Sequence, residues 1–162
     1  MIRVKRFKQY VFIIVFITVT MPVLSENVIR SFVSGSFSQI LEQRQEKPFV
    51  LVLWSLDCPS CYKELEMLGH LNSENTGRNI VLVSTDIEAS QSELQAVLEK
   101  YKLENIESWV FSGDSDALLR FEIDRSWYGE LPRSYFVKTQ NNVNAVSGIL
   151  SENKLIKWMN SL

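Results

Sequence analysis

The sequence predicts an α/β domain with a central mixed β-sheet flanked by helices, and three observations carry that expectation. Two continuous apolar runs, FVLVLWS at Phe49–Ser55 and IVLVST at Ile80–Thr85, lack polar alternation, as strands buried on both faces do. Segments after each run place apolar residues at helical spacing. Near the C-terminus two short strand-like runs flank a turn sequence, which adds an antiparallel pair to the sheet.

Each element follows from local pattern. Residues Ser31 to Ser38 are rich in turn formers, and a short helix is expected around Gln39–Gln45. Pro48 opens the first strand, Phe49–Ser55. Pro59–Leu71 carries Cys61, Leu65 and Leu68 at i, i+4 and i+7, one face of a helix, and Asn75–Gly77 supplies a turn. After the strand Ile80–Thr85, a helix over Ser90–Leu103 has Leu94, Val97, Leu98 and Tyr101 at helical spacing, with Ser90 and Glu93 forming a capping box. Trp109–Phe111 is a short strand, Asp114–Phe121 a helix, and Ser134–Lys138 and Val143–Ile149 form a hairpin about Thr139-Gln140-Asn141-Asn142. Ser151–Asn160 closes the chain as a helix. The alternation of strand and helix gives a layered domain.

Composition bounds the rest. At roughly 100–200 residues per domain, 162 residues make one domain, here residues 26–162. With 46% hydrophobic and 22% charged residues, 6 Gly and 4 Pro, disordered and collagen-like classes are excluded. Arg3, Lys5, Arg6 and Lys8 precede an apolar stretch, Tyr10–Leu24, fifteen residues long, and no acid lies in residues 1–25. A membrane span needs ~20 apolar residues and a signal-peptide core ~7–15, so residues 1–25 are expected to be a signal peptide or, if uncleaved, a signal anchor through residues 10–24. The domain is then exported, to the periplasm or another extracytoplasmic compartment. Taking those four basic residues from the 17 in the chain leaves 13 against 19 acids, a net charge of −6, which argues against nucleic acid as partner.

The chemistry centres on Cys58-Pro59-Ser60-Cys61, which holds both cysteines of the chain at a strand-to-helix junction. As a structural staple this is a weak placement, since closing about four residues restricts the unfolded chain by only ~2 kcal/mol, against ~3 for fifteen. As a redox pair it is well placed. A helix N-terminus presents unpaired N–H groups and a positive dipole end that favour a thiolate at Cys58, and Pro59 suits the first turn, where its missing N–H costs nothing. Two thiolates alone cannot complete a zinc site, and the single histidine, His70, lies nine residues beyond Cys61.

FVLVLWSLDCPSC resembles the strand–turn–helix active site of the thioredoxin superfamily, and within it the exported thiol–disulfide oxidoreductases of the TlpA type. Those proteins carry Glu three residues after the second cysteine, as Glu64 stands here, and a cis-proline before the penultimate strand, a place that Leu131-Pro132 fits. The resemblance covers residues 28–162 and implies a thioredoxin-like fold. It also implies dithiol exchange without a bound cofactor, the redox group being the Cys58–Cys61 disulfide itself. Cys58 would attack or be attacked, Cys61 would resolve the mixed disulfide, and Glu64 would take or return the Cys61 proton. Pro132, with Leu131, would present a backbone edge to a substrate peptide, with Trp127 contributing to the groove. The partners implied are protein thiols and disulfides and, outside the cytoplasm, a membrane dithiol electron donor.

Some residues depart from that family's pattern. Asp57 replaces the usual Trp before the first cysteine, and a carboxylate about 6 Å from the sulfur would oppose thiolate formation by roughly 0.7–2.8 kcal/mol at effective dielectric constants of 80 to 20. That favours a reductant of protein disulfides, in apocytochrome c or metal-centre maturation or general secreted disulfides, over a strong oxidant. Glu66 stands where a helix-kinking proline is common, and Val52 where thioredoxin itself buries an acid. Arg133, after the proline, either selects acidic partners or faces solvent. Two other readings remain at this stage: a dithiol oxidant or isomerase in protein folding, and a non-enzymatic copper-binding assembly protein using both cysteines with His70.

Overall fold

The computed structural model describes residues 28–45, 47–74, 79–113 and 115–161. The expected N-terminal signal or anchor, the turn at Asn75–Gly77 and Asp114 as a helix start lie outside the described residues.

Among the described residues, strands and helices alternate up to a final hairpin and helix, giving six strands and five helices. They are β1 (Arg30–Phe32), α1 (Ser36–Arg44), β2 (Phe49–Trp54), α2 (Pro59–Ser73), β3 (Ile80–Ser84) and α3 (Gln91–Lys100), followed by β4 (Glu107–Phe111), α4 (Asp116–Ile123), β5 (Arg133–Thr139), β6 (Asn142–Ser147) and α5 (Glu152–Met159). The strands form one mixed sheet in the order β1-β4-β3-β2-β5-β6, with β1, β4, β3 and β2 parallel and β5 and β6 antiparallel.

The two apolar runs become the central strands because both of their faces are covered. Val50, Val52 and Trp54 of β2 and Ile80 and Leu82 of β3 pack with Leu65 and Leu68 of α2, Leu94 and Leu98 of α3 and Leu155 of α5. The intervening Phe49, Leu51, Leu53, Val81 and Val83 face the other layer, with Ile40 of α1 and Leu119 and Ile123 of α4. Period-two alternation thus divides the strands between two cores rather than between core and water.

Several element ends shift by one to three residues from the sequence expectation, and two differences have a tertiary cause. Ser31 and Phe32, expected within a turn-rich entry, form with Arg30 an edge strand that pairs Arg30 with Trp109 and Phe32 with Phe111. Three residues are too few to display a period, so only the pairing with β4 identifies it. The third helix stops at Lys100 rather than Leu103: Lys102 takes φ 58°, and Leu103 N–H reaches back to Leu98 O at 2.8 Å while its side chain enters the core. This is the closure of a helix in which the residue past the end makes an apolar contact. The capping box at Ser90 and Glu93 is present as expected.

Candidate active site

β2 runs parallel to β3 and β4 and antiparallel to β5, so four segments meet at one end of the sheet. They are the loop after β2, the loops after β3 and β4, and the segment before β5. The pairing of Leu53 with Arg133 brings the start of β5 beside the end of β2, and with it Pro132 beside the residues that lead to Cys58. In open α/β sheets this end, outside the carboxyl ends of the strands, is where sites form.

Cys58 is the N-cap of α2, and Pro59 occupies the first turn. Cys58 and Cys61 are joined by a disulfide with Cα atoms 5.3 Å apart. The two cysteines are unequally enclosed: Cys58 retains 8% of its residue surface, and Cys61 none. Cys58 Sγ accepts the backbone N–H of Cys61 at 3.2 Å and lies 3.4 Å from the Ser60 hydroxyl. These two dipoles act on the same atom as the helix N-terminus and oppose the Asp57 charge, which sits in an exposed side chain. α2 continues unbroken through Glu66 to Ser73.

Glu64 lies one turn beyond Cys61 and is 1% exposed. It is therefore not a solvated helix-surface carboxylate. Oε1 accepts the Ser134 hydroxyl at 2.7 Å and Oε2 accepts Leu150 N–H at 3.1 Å. Burial pushes its carboxyl above the ordinary carboxylate range, and the two hydrogen bonds only partly offset this. Ser134 pairs across the sheet with Val52, the position where thioredoxin would carry its own acid. Glu64 of α2 thus reaches the β2–β5 strand pair at the level of Val52 and Ser134. Ser134 escaped the sequence reading because a serine at the start of an apolar strand gives no sign of a distant partner.

The Leu131-Pro132 bond is cis. Leu131 packs against the apolar cluster that contains both cysteines, and Pro132 O accepts Gly148 N–H at 2.9 Å. Trp127, expected in a substrate groove, is 4% exposed, packs in the core on the other face of the sheet and donates its indole N–H to Glu130 O at 2.9 Å. A side chain so enclosed offers no surface to a peptide; the next residue, Tyr128, is exposed, at 91%.

Arg133 turns inward and is paired within the chain. It is 9% exposed, on the opposite strand face from Ser134, and forms ion pairs with Asp124 at 2.8 Å and Glu130 at 2.9 Å. Its guanidinium also donates to Tyr135 Oη and Ser147 Oγ. The network ties the loop that carries Leu131-Pro132 to β5 and β6. Burial works against ionisation of Asp124, but hydrogen bonds from Ser126, Arg133 and Tyr135 outweigh it and hold its carboxyl below the usual range.

The copper reading meets a geometric obstacle. Nine residues of α-helix at 1.5 Å rise separate Cys61 from His70 by about 13 Å, beyond any shared ligation. His70 is an exposed helix-end residue beside Glu74. Among the described residues no group of three or more His, Cys, Asp and Glu side chains is placed to hold a metal ion.

The chain matches no family profile and no curated protein. Solved structures do match. A secreted disulfide oxidoreductase of Mycobacterium tuberculosis, homologous to Escherichia coli DsbE, superposes with a TM-score of 0.57 at 23% identity over 75% of this chain and 86% of that one. A DsbF homologue from Corynebacterium diphtheriae gives 0.58 at 18% identity over 75% and 76%. The exposed lipoprotein thioredoxin Etrx1 of Streptococcus pneumoniae gives 0.54 at 16% identity over 75% and 90%. This chain has the thioredoxin fold. In that thioredoxin fold the motif occupies the junction of β2 and α2, and what the arrangement can do chemically is exchange electrons between the less enclosed cysteine, the fully enclosed one and an external thiol or disulfide.

Proposed function

We propose that the protein is an exported thiol–disulfide oxidoreductase of the TlpA type that reduces protein disulfides. The observation that carries this reading is the unequal pair at the N-terminus of α2, with Cys58 accessible and Cys61 enclosed. In the reduced protein, the Cys58 thiolate attacks a partner disulfide; one partner sulfur leaves as a thiolate and takes a proton, and a mixed disulfide remains. Cys61, losing its proton to Glu64, then attacks Cys58 Sγ, the second partner sulfur leaves, and the Cys58–Cys61 disulfide is formed. Two electrons and two protons pass to the partner.

A carboxyl whose proton affinity is raised by burial suits that transfer, because thiols titrate well above ordinary carboxylates. Leu131 and Pro132 present the backbone edge along which the partner's cysteine segment pairs as an added strand. Electrons are restored by a membrane dithiol donor, since the basic and apolar N-terminus is of the kind that carries a domain out of the cytoplasm. Apocytochrome c, proteins that assemble metal centres and secreted disulfides are the substrate classes this reading covers.

The test is the reduction potential of the Cys58–Cys61 couple, measured by equilibration against glutathione and dithiothreitol buffers. A value near or below roughly −230 mV is expected for a reductant, whereas one near −120 mV would assign the protein to the oxidants.

A further inference from the structure

We propose that Asp86 is a positioning residue for Cys58, holding the loop that leads from β2 into the motif at a fixed place above the end of the sheet. Its catalytic meaning rests on the oxidoreductase reading above.

Asp86 follows β3 and is half-buried. Its carboxylate accepts three hydrogen bonds. One is local, from the Ser84 hydroxyl to Oδ2 at 2.7 Å. The other two come from 30 residues back in the chain: Leu56 N–H reaches Oδ2 at 2.9 Å, and the Ser55 hydroxyl reaches Oδ1 at 2.7 Å. Ser55 passes the constraint forward, because its Oγ accepts Asp57 N–H at 3.2 Å and its backbone oxygen accepts Cys58 N–H at 3.2 Å. From the other side the Tyr62 hydroxyl donates to Leu56 O at 2.6 Å. Both polar groups of the Leu56 backbone are thereby held, one by Asp86 just after β3 and one by Tyr62 of α2, two residues before Cys58.

A negative charge near a sulfur that works as a thiolate is electrostatically unfavourable, and Asp86 shares its cleft with Asp57, Glu88, Glu93 and Asp116. An acid here raises the energy of the thiolate, so its use must lie elsewhere. A carboxylate is the side chain that accepts from a backbone N–H and two hydroxyls at once, with lone pairs enough for all three. In-line attack on a disulfide is sensitive to placement, and a displacement near 1 Å can cost up to ~100-fold in rate.

Charge and placement separate in two substitutions. Asp86→Asn removes the charge but keeps an acceptor for Leu56 N–H and an amide that can donate to Ser55. Asp86→Ala removes charge and bonds together. The purified full chain is reduced, and two quantities are followed against pH: alkylation of Cys58 by iodoacetamide and exchange with oxidised glutathione.

Both variants should move the midpoint of Cys58 alkylation to lower pH by the same amount. The exchange rate constant on the high-pH plateau should stay within about threefold of wild type in Asp86→Asn and fall about tenfold in Asp86→Ala. Equal plateau rates in all three proteins, or equal losses in both variants, would overturn the proposal, even where Asp86→Ala is the less stable to urea. If Asp86→Ala does not fold, the double variant Ser55→Ala with Tyr62→Phe, which removes one tie from each side, should lower the plateau by about threefold; no change overturns the proposal. If reduced wild type does not exchange with glutathione, the oxidoreductase reading fails, and the plateau of Cys58 alkylation in the same variants decides the role of Asp86.

Discussion

Replacing Glu64 by Gln tests the buried carboxyl and the proton transfer assigned to it together. At acid pH the protonated carboxyl and the amide can keep both partners: each accepts Leu150 N–H, and the bond in which Ser134 donates to the carboxylate reverses, with Ser134 Oγ accepting. The two proteins should then differ by less than about 1 kcal/mol. Burial raises the folded-state value above 4.5, so the stability that the protonated form contributes is complete below pH 4.5 and is lost as pH rises through the folded value. The Gln variant has no such loss. Its advantage over wild type should therefore open above pH 4.5 and level off once the folded carboxyl ionises. With two hydrogen bonds compensating part of the desolvation, the plateau should be about 1–3 kcal/mol. Urea unfolding of the oxidised full chain at intervals from pH 4 to pH 8 measures it. A difference that is flat in pH, or wild type being the more stable at neutral pH, would refute the desolvation argument. In the same variant, release of a mixed disulfide formed at Cys58 should be slower at neutral pH, because Cys61 has lost its proton acceptor.

Three further outcomes follow from the geometry. Cys61→Ser should leave Cys58 alkylated readily by iodoacetamide in the folded protein and should trap mixed disulfides, whereas Cys61 in Cys58→Ser should react at least about tenfold more slowly, being fully enclosed. Arg133→Met should destabilise the fold by about 2–4 kcal/mol at pH 7, below the value for a fully buried pair because Asp124 and Glu130 keep part of their exposure. The ionised Asp124 is stabilising above its ordinary 3.8 and that stability is lost as pH falls through its depressed folded value, so the deficit of this variant should shrink on denaturant titration near pH 3. Gly69→Ala should cost about 3 kcal/mol in the same assay, since a Cβ there would stand 1.8 Å from the Tyr101 backbone oxygen and α2 would have to move from α3.

Most of the fold was legible because burial on two faces leaves a local signature. The apolar runs at Phe49–Trp54 and Ile80–Ser84 suit interior strands, and Leu65 and Leu68 mark the face that α2 turns to them. The hairpin at Gln140-Asn141 and the cap at Ser90 are equally local. β1 was not legible, since three residues acquire strand geometry only through Trp109, Val110 and Phe111.

The candidate site divides in the same way. Cys58, Pro59, Ser60 and Cys61 are contiguous, and their chemistry follows from spacing at a helix start, so sequence alone determined the redox pair and the place it takes on the chain. Which sulfur is open, that Glu64 is buried, that Trp127 is enclosed while Tyr128 is not, and that Arg133 turns inward were decided by tertiary structure. The ties from Asp86 to Ser55 and Leu56 and from Ser134 to Glu64 span 30 to 70 residues. Hydrogen bonding and desolvation depend on which atoms lie within a few ångströms, and that proximity comes into being only when β5 lies against β2 and α2 lies across them both.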